Sequence, residues 1–479
     1  MNNTIVIFGG TGDLTHRKLI PALYNLFNEG FMPKDFAIVA VGRRPYNDDI
    51  YQKEVLDSLN EFSRNKVETN TWNQFKEKLY YKELDFTQDE DYCPFNEYLN
   101  RIDKKHNTDG KRIYYLAVAP DFFSVIVKNL KSDCMKAIEH KPKLVIEKPF
   151  GKDLASAKAL NKEIVSAFGE ENIFRIDHYL GKEMLQNILV IRFGNVIFEP
   201  VWNNKYIKQI QISSYEDIGI GTRANFYEHS GAIRDMAQSH LLQILSLIAM
   251  DKPKSLSPED IRNEKVKVLK ALHKYTTKEI KEKVVRGQYE SYRKEVNVAP
   301  ESTTETYLAF KTFVNNERWK GVPFYIRTGK KLPKKSTEVV IEFKDGINGL
   351  YKGQTSSNCL VIKVQPRERI FFQVNTKRPG TDFHINPVKM DFCQNCEIGN
   401  VSPEAYERLL YDVIRKDATL FARWDEVEYS WKFIDRIVDA WNLEVPKFPN
   451  YQDGSWGPKA ADELLAKDNL SWINLEMED

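Results

Sequence analysis

Long apolar runs are missing from this chain. Its most hydrophobic stretch, Leu241 to Met250, is interrupted by Gln243 and Ser246 and falls well short of the about 20 residues that span a bilayer. It predicts a buried helix, and no membrane partner is expected. A surplus of one charge is missing too: 70 Lys and Arg stand against 68 Asp and Glu, a formal net charge of +2. A dedicated nucleic-acid binder needs a basic face, so no nucleic-acid partner is expected. Cysteine is scarce, and its five positions, Cys93, Cys134, Cys359, Cys393 and Cys396, are scattered and odd in number. That predicts free thiols in a reducing, cytoplasmic setting rather than a disulfide framework. Cys393-Gln394-Asn395-Cys396 is a lone C-x-x-C to which His384 adds a third ligand at most; a structural zinc needs four, so no metal is expected. Internal repeats and low-complexity segments are absent. Met1-Asn2-Asn3-Thr4 leads straight into an apolar run, so no secretory signal is expected.

What is present fills 479 residues, room for roughly two or three domains with sizeable cores. Thr4-Ile5-Val6-Ile7-Phe8 is a short β-branched run suited to a strand buried on both faces. Gly9-Gly10-Thr11-Gly12-Asp13-Leu14 follows directly, and Lys18 to Phe27 then repeats apolar residues at helical spacing. In that order, a glycine turn lets the backbone approach a pyrophosphate that rests on the helix N-terminus. Gly9 to Leu14 are therefore candidate cofactor contacts, although the turn departs from a strict G-x-G-x-x-G. The next strand, Phe36 to Val41, ends in Gly42-Arg43-Arg44. An NAD-binding fold usually places an acid here for the ribose 2′-hydroxyl. Two guanidiniums pair with phosphate instead, which points to NADP, with NAD a weaker alternative.

Arg112 to Val118 and Lys143 to Ile146 read as further strands, the second ending in Glu147-Lys148-Pro149-Phe150-Gly151, where Lys148 is placed to touch a ligand. Strands alternating with helical patterns predict an α/β fold, with a doubly wound (Rossmann-like) parallel-sheet domain over residues 1–176. At its end, Asn172 to Ile176 reads as a strand into Asp177-His178-Tyr179-Leu180-Gly181-Lys182, and Met184 to Leu189 reads as a helix leaving it. Polar groups where a strand hands over to a helix sit where open α/β sheets bind ligands. With the helix starting near His178, His178 and Lys182 share a face beside a helix N-terminus that favours an anion.

Beyond the motif the pattern changes to period two. Val339, Ile341 and Phe343 oppose Glu342 and Lys344; Leu360, Ile362 and Val364 oppose Lys363 and Gln365; Ile370, Phe372 and Val374 oppose Gln373 and Asn375. Together with Lys208 to Ser213, Tyr307 to Phe313 and Phe324 to Arg327, these runs predict a C-terminal α+β domain over residues 177–479, with a large, mainly antiparallel sheet covered on one face. Such an open sheet favours a homodimer or a dimer of dimers. Residues 251–300, dense in Lys and Glu, read as solvated helices. Ser230 to Leu242 reads as a helix running into the apolar stretch, and taken alone His240 reads as a core histidine with a satisfied hydrogen bond. Lys330 to Lys335 likewise reads as a solvated charge run.

Taken in order, these segments resemble the glucose-6-phosphate dehydrogenase family over nearly the whole chain. The family pattern R-I-D-H-Y-L-G-K-E stands at Arg175 to Glu183. Glu147 to Gly151 matches a second block, and Gly9 to Leu14 with Arg17-Lys18-Leu19 a third. Asp235 to His240, Val322 to Arg327 with Gly329-Lys330, and Val364-Gln365-Pro366 follow in family order. The resemblance implies oxidation of glucose 6-phosphate at C1 to 6-phosphogluconolactone, the first oxidative step of the pentose phosphate pathway, with hydride transfer to NADP. It implies that His240 is the general base and that Asp177 orients it. His178, Tyr179 and Lys182 would bind the sugar phosphate, reached also by Lys335, while Glu216, Asp235, Lys330 and Gln365 would address sugar hydroxyls. Lys18 and Lys148 would lie between cofactor and substrate, and Arg43 with Arg44 would hold the 2′-phosphate. A cis bond before Pro149 is implied as well. A second, structural NADP, held by some relatives, is not expected because Gln373 stands where a basic residue belongs. Asp235 and His240 are five apart, about 140° around an ideal α-helix, so a shared ligand requires a pocket that wraps the helix end. Two alternatives remain open: a related dinucleotide-fold oxidoreductase acting on another sugar or sugar phosphate, and a non-catalytic sensor of nucleotide and sugar phosphate.

Overall fold

The computed structural model describes residues 2–135, 140–344, 351, 355–381, 384–392 and 403–475. The chain divides into two compact units, one of Met1–Gly181, Ser255–Arg262 and Pro403–Glu428, the other of Lys182–Lys254, Asn263–Ser402 and Tyr429–Asp479.

In the first unit the apolar, β-branched runs form a seven-stranded sheet in the order β15-β6-β5-β4-β1-β2-β3. β1 (Asn3–Phe8), β2 (Phe36–Gly42), β3 (Leu79–Glu83), β4 (Arg112–Leu116), β5 (Lys143–Ile146) and β6 (Ile173–Ile176) are all parallel. β1, β2 and β4 are buried at every position, which is why they lack polar alternation. The strand order reverses between β1 and β4, the switch point where ligands of such sheets bind. β15 (Phe421–Ala422) adds an antiparallel edge on β6 that no local pattern announces.

Cys93 and Cys134 are joined in a disulfide, their Cα atoms 5.3 Å apart. This corrects the expectation of free thiols: the two are 41 residues apart in sequence and meet only because the fold carries the start of the helix Tyr92–His106 onto the turn at Asp133–Met135. Cys359 is a free, buried thiol. Cys393 and Cys396 lie outside the described residues.

The second unit holds an eight-stranded sheet in the order β14-β13-β12-β11-β7-β10-β9-β8. Its strands are β7 (Ile207–Tyr215), β8 (Val284–Gly287), β9 (Tyr307–Thr312), β10 (Phe324–Gly329), β11 (Ser336–Phe343), β12 (Cys359–Gln365), β13 (Arg369–Lys377) and β14 (Ile385–Phe392). All neighbours are antiparallel except β7 and β10. The expectation of one covered face fails at the centre, where every residue of β11 is buried. The chain's own C-terminal segment is the reason. Gln211 donates to the Ser471 carbonyl at 2.8 Å and accepts from the Ile473 N–H at 2.9 Å, while Ile473 and Leu475 pack on Val340, Cys359, Val361 and Phe371. Arg327, 1% exposed, lies 4.0 Å from the Trp472 ring centre and donates to Asn474 at 3.0 Å.

The apolar stretch is the fully buried helix Leu242–Ala249. Among the described residues no helix is long and apolar enough to cross a membrane. The charged region contains the helices Pro258–Lys270 and Thr277–Lys283, and also the strand β8, which its composition hid.

Candidate active site

In the first unit the candidate cofactor residues gather at the C-terminal ends of the parallel strands. The turn after β1 is pinned to β2, because the Gly9 and Gly10 N–H groups both donate to the Val41 carbonyl, at 2.9 and 2.8 Å. Gly9 adopts φ +89°, and a Cβ there would lie 2.3 Å from the Ala117 carbonyl oxygen, so only glycine closes this turn at the switch point. The Gly12 N–H and the Thr15 hydroxyl both return to the Gly9 carbonyl at 2.9 Å. Thr11 and Leu14 complete the turn, and Asp13 is exposed, 3.6 Å from Arg17. The helix then opens with a π turn, Thr15–Leu19, before Ile20–Asn28. A glycine-rich turn leading into a helix suits a pyrophosphate.

Arg43 and Arg44 leave the end of β2 as exposed side chains. Arg44 is propped by Tyr46, donating to its hydroxyl at 3.1 Å, and Tyr46 is fixed in turn by Glu54 at 2.7 Å. Lys18 donates to Glu404 at 2.8 Å. Lys148 is half-buried just after β5, and the Lys148–Pro149 bond is cis as expected.

Asp177, 2% exposed, follows β6. The helix does not start near His178, which corrects that expectation: it is Glu183–Gly194. The Asp177 side chain accepts the Tyr179 N–H at 3.0 Å and its carbonyl accepts the Leu180 N–H at 2.9 Å, closing a turn that the extended Lys182 separates from the helix. His178 and Tyr179 meet edge to face, ring centres 5.0 Å apart. They therefore project from a turn, and Lys182 from the extended residue before the helix.

In the second unit the candidate substrate residues collect at one end of the sheet. Gln365 ends β12 opposite Thr337, and Thr337 lies opposite Ser214 of β7. Gln365 donates to the Thr337 hydroxyl at 2.9 Å and accepts from Lys182. One row further out, Glu216 follows β7 and Lys330 follows β10, and these two form an ion pair. Lys330 is 7% exposed, with its ammonium 5.1 Å from the Tyr227 ring centre. Lys335 is exposed in the loop before β11.

Asp235 and His240, 7% and 1% exposed, lie on a π-helix, Ile233–Leu241. The Leu242 N–H at its end reaches back five residues to the Ala237 carbonyl. Bonding of this i→i+5 type widens the turn and brings residues five apart nearer one face than α-helical bonding does, and such turns concentrate at functional sites. The 140° separation expected of an α-helix does not arise, and no wrapping pocket is needed to bring these two side chains to one ligand.

Two family models match the chain: glucose-6-phosphate dehydrogenase, NAD binding domain, over residues 6–187, and glucose-6-phosphate dehydrogenase, C-terminal domain, over residues 189–473. The chain belongs to the glucose-6-phosphate dehydrogenase family. A glucose-6-phosphate 1-dehydrogenase of Bacillus subtilis is 47% identical to it, with 98% of each chain covered. A solved glucose-6-phosphate dehydrogenase in complex with its substrate glucose 6-phosphate is 32% identical, with a TM-score of 0.91 over 99% of each chain. The Mycobacterium avium enzyme is 31% identical, with a TM-score of 0.85 over 100% of this chain and 99% of that one.

Glu147, in the block Glu147 to Gly151, is a further acid with a buried carboxyl at these strand ends to which the resemblance gives no role. Glu147 follows β5 and accepts from the buried Tyr115 hydroxyl at 2.5 Å, and Tyr406 is a second phenolic partner. Strand order would have predicted Tyr115, on the neighbouring strand; Tyr406 comes from a distant helix and left no local signal. Burial pushes the Glu147 carboxyl up to about 7, with the Asp177 charge adding to the effect and Tyr115, Tyr406 and Lys148 opposing it. An acid whose folded pKa is raised favours the fold while protonated. Its contribution is complete below 4.5 and is lost as pH rises through about 7. Wild-type protein is therefore expected to lose stability relative to Glu147→Gln across that window. Denaturant midpoints of both proteins measured through it check this; a gap that stays constant would put Glu147 at its ordinary value.

Proposed function

We infer that the chain oxidises glucose 6-phosphate at C1 to 6-phosphogluconolactone, with a nicotinamide dinucleotide as hydride acceptor, and that its residues divide the work as follows. His240 takes the proton of the C1 hydroxyl. Asp177 fixes the His240 tautomer and stabilises the imidazolium that results, so the base is oriented by a third group. A histidine suits this step because imidazole exchanges its proton near neutral pH. His178, Tyr179, Lys182 and Lys335 hold the phosphate, and Glu216, Asp235, Lys330 and Gln365 hold the hydroxyls. Residues 1–176 bind the dinucleotide: Gly9, Gly10, Thr11, Gly12, Asp13 and Leu14 cradle its pyrophosphate, and Lys18 and Lys148 lie towards the substrate. When bound, the nicotinamide accepts the C1 hydride at C4. Residues 177–479 supply substrate binding and dimerisation. The single observation that supports the assignment of the base is the π-helix, whose wider turn favours a shared ligand for the buried Asp235 and His240.

Arg43 and Arg44 support NADP as the preferred coenzyme, since they stand exposed where an NAD enzyme carries an acid. Replacing both by alanine is expected to raise KM for NADP by about tenfold or more, the loss of one or two charge-assisted hydrogen bonds, and to leave KM for NAD nearly unchanged. Initial rates with each coenzyme at saturating glucose 6-phosphate check this, and equal losses would remove the arginines from 2′-phosphate recognition. The phosphorylated substrate, which does not cross membranes unaided, supports a cytoplasmic location; recovery of the activity with the cell envelope would contradict it.

A homodimer is supported by β13 and β14. Ile370, Phe372 and Val374 lie opposite Phe392, Met390 and Val388 and share a face, on which Met390 is 63% and Phe392 49% exposed. So continuous an apolar face on a sheet edge fits a second copy of the chain. Met390→Asp is expected to shift the protein to monomers in sedimentation equilibrium, and an unchanged mass would place the dimer contact elsewhere.

A further inference from the structure

The π-helix that carries Asp235 and His240 does not begin by itself. The preceding helix, Ala224–Ala232, breaks at Gly231, whose φ of +58° and ψ of 179° interrupt its hydrogen bonding. The next two N–H groups turn to Glu305, the residue two before β9. Ala232 N–H donates to the Glu305 carbonyl at 2.9 Å and Ile233 N–H donates to its side-chain Oε1 at 3.0 Å. A Cβ at Gly231 would lie 2.2 Å from that same oxygen, so the glycine leaves the space the carboxyl fills. Glu305 is 8% exposed. Arg234 and Arg286 act on it electrostatically, and it acts in the same way on Tyr227 and Tyr292. The adjoining Thr306 carbonyl accepts the Lys330 N–H at 3.0 Å, so one short segment holds both the start of the π-helix and Lys330.

We propose that Glu305 is a positioning residue for the reaction: its side-chain oxygen at the start of the π-helix, in the space left by Gly231, sets the register that points Asp235 and His240 at one sugar. An α-helical register would rotate His240 away from Asp235, and misplacement of a catalytic group by about 1 Å already costs about 10²-fold in rate. An acceptor oxygen is what the site uses, and a glutamine supplies one of the same reach. The inference rests on His240 being the general base.

The test compares Glu305→Ala, Glu305→Gln, Gly231→Ala and His240→Asn in the full-length enzyme with glucose 6-phosphate and NADP. Glu305→Ala is expected to lower kcat at least about tenfold and to raise KM for glucose 6-phosphate, while KM for NADP stays within about twofold. Glu305→Gln is expected to retain the rate within about threefold, because it still accepts the Ile233 N–H. Should Glu305→Ala not fold, Gly231→Ala carries the comparison: it is expected to fall like Glu305→Ala, and wild-type kinetics in Gly231→Ala would overturn the proposal. Equal losses in Glu305→Gln and Glu305→Ala would overturn it too, as would a wild-type rate in Glu305→Ala beside an inactive His240→Asn. Turnover retained by His240→Asn would instead overturn the assignment of the base.

Discussion

The Ile233 N–H bonded to a buried carboxyl governs what this chain presents to a sugar. A helix needs acceptors behind it for its first N–H groups. Here Gly231 has broken the preceding helix, so Glu305 supplies them from outside. The segment that follows bonds five residues back, which turns its two candidate side chains, Asp235 and His240, nearer one face than an α-helix would. The same two residues of chain, Glu305 and Thr306, tie down Ala232, Ile233 and Lys330. The groups proposed as base and as hydroxyl contacts are thus referred to one strand start, and Lys330 is paired there with Glu216.

The first unit solves its problem by a different constraint. Parallel strands buried on both faces leave only their ends for chemistry, and each end contributes one piece. The glycine turn follows β1, Arg43 and Arg44 follow β2, Glu147 and Lys148 follow β5, and Asp177 to Tyr179 follow β6. Close packing fixes these positions more tightly than the loops themselves do: Gly9 is held against the Ala117 carbonyl, and Glu147 is held between two tyrosines.

What was legible in the sequence was local. Apolar, β-branched runs gave the parallel strands, period-two alternation gave β11, β12 and β13, and the glycine turn stood out through its place between a strand and a helix. What escaped depended on residues far apart in the chain. Cys93 meets Cys134, Tyr406 meets Glu147, and Gln211 holds the segment around Ser471 and Ile473 that covers the second face of the sheet. The helix after Asp177 starts five residues later than its spacing suggests, because Lys182, with ψ 132°, is extended and separates the turn at Asp177 from the helix. Apolar spacing cannot separate an α-helix from a π-helix over nine residues, since the difference lies in which carbonyl each N–H selects. The same gap hid Glu305, whose partner is a backbone N–H rather than a side chain.

The most direct test of this account is a crystal structure with glucose 6-phosphate bound. The account predicts the C1 hydroxyl oxygen within hydrogen-bond reach of a His240 ring nitrogen, about 2.6–3.2 Å. It also predicts a second hydroxyl of the same sugar on Asp235 and the phosphate on His178, Tyr179 and Lys182. A sugar whose C1 oxygen rests on another side chain, with His240 turned away from Asp235, would contradict it.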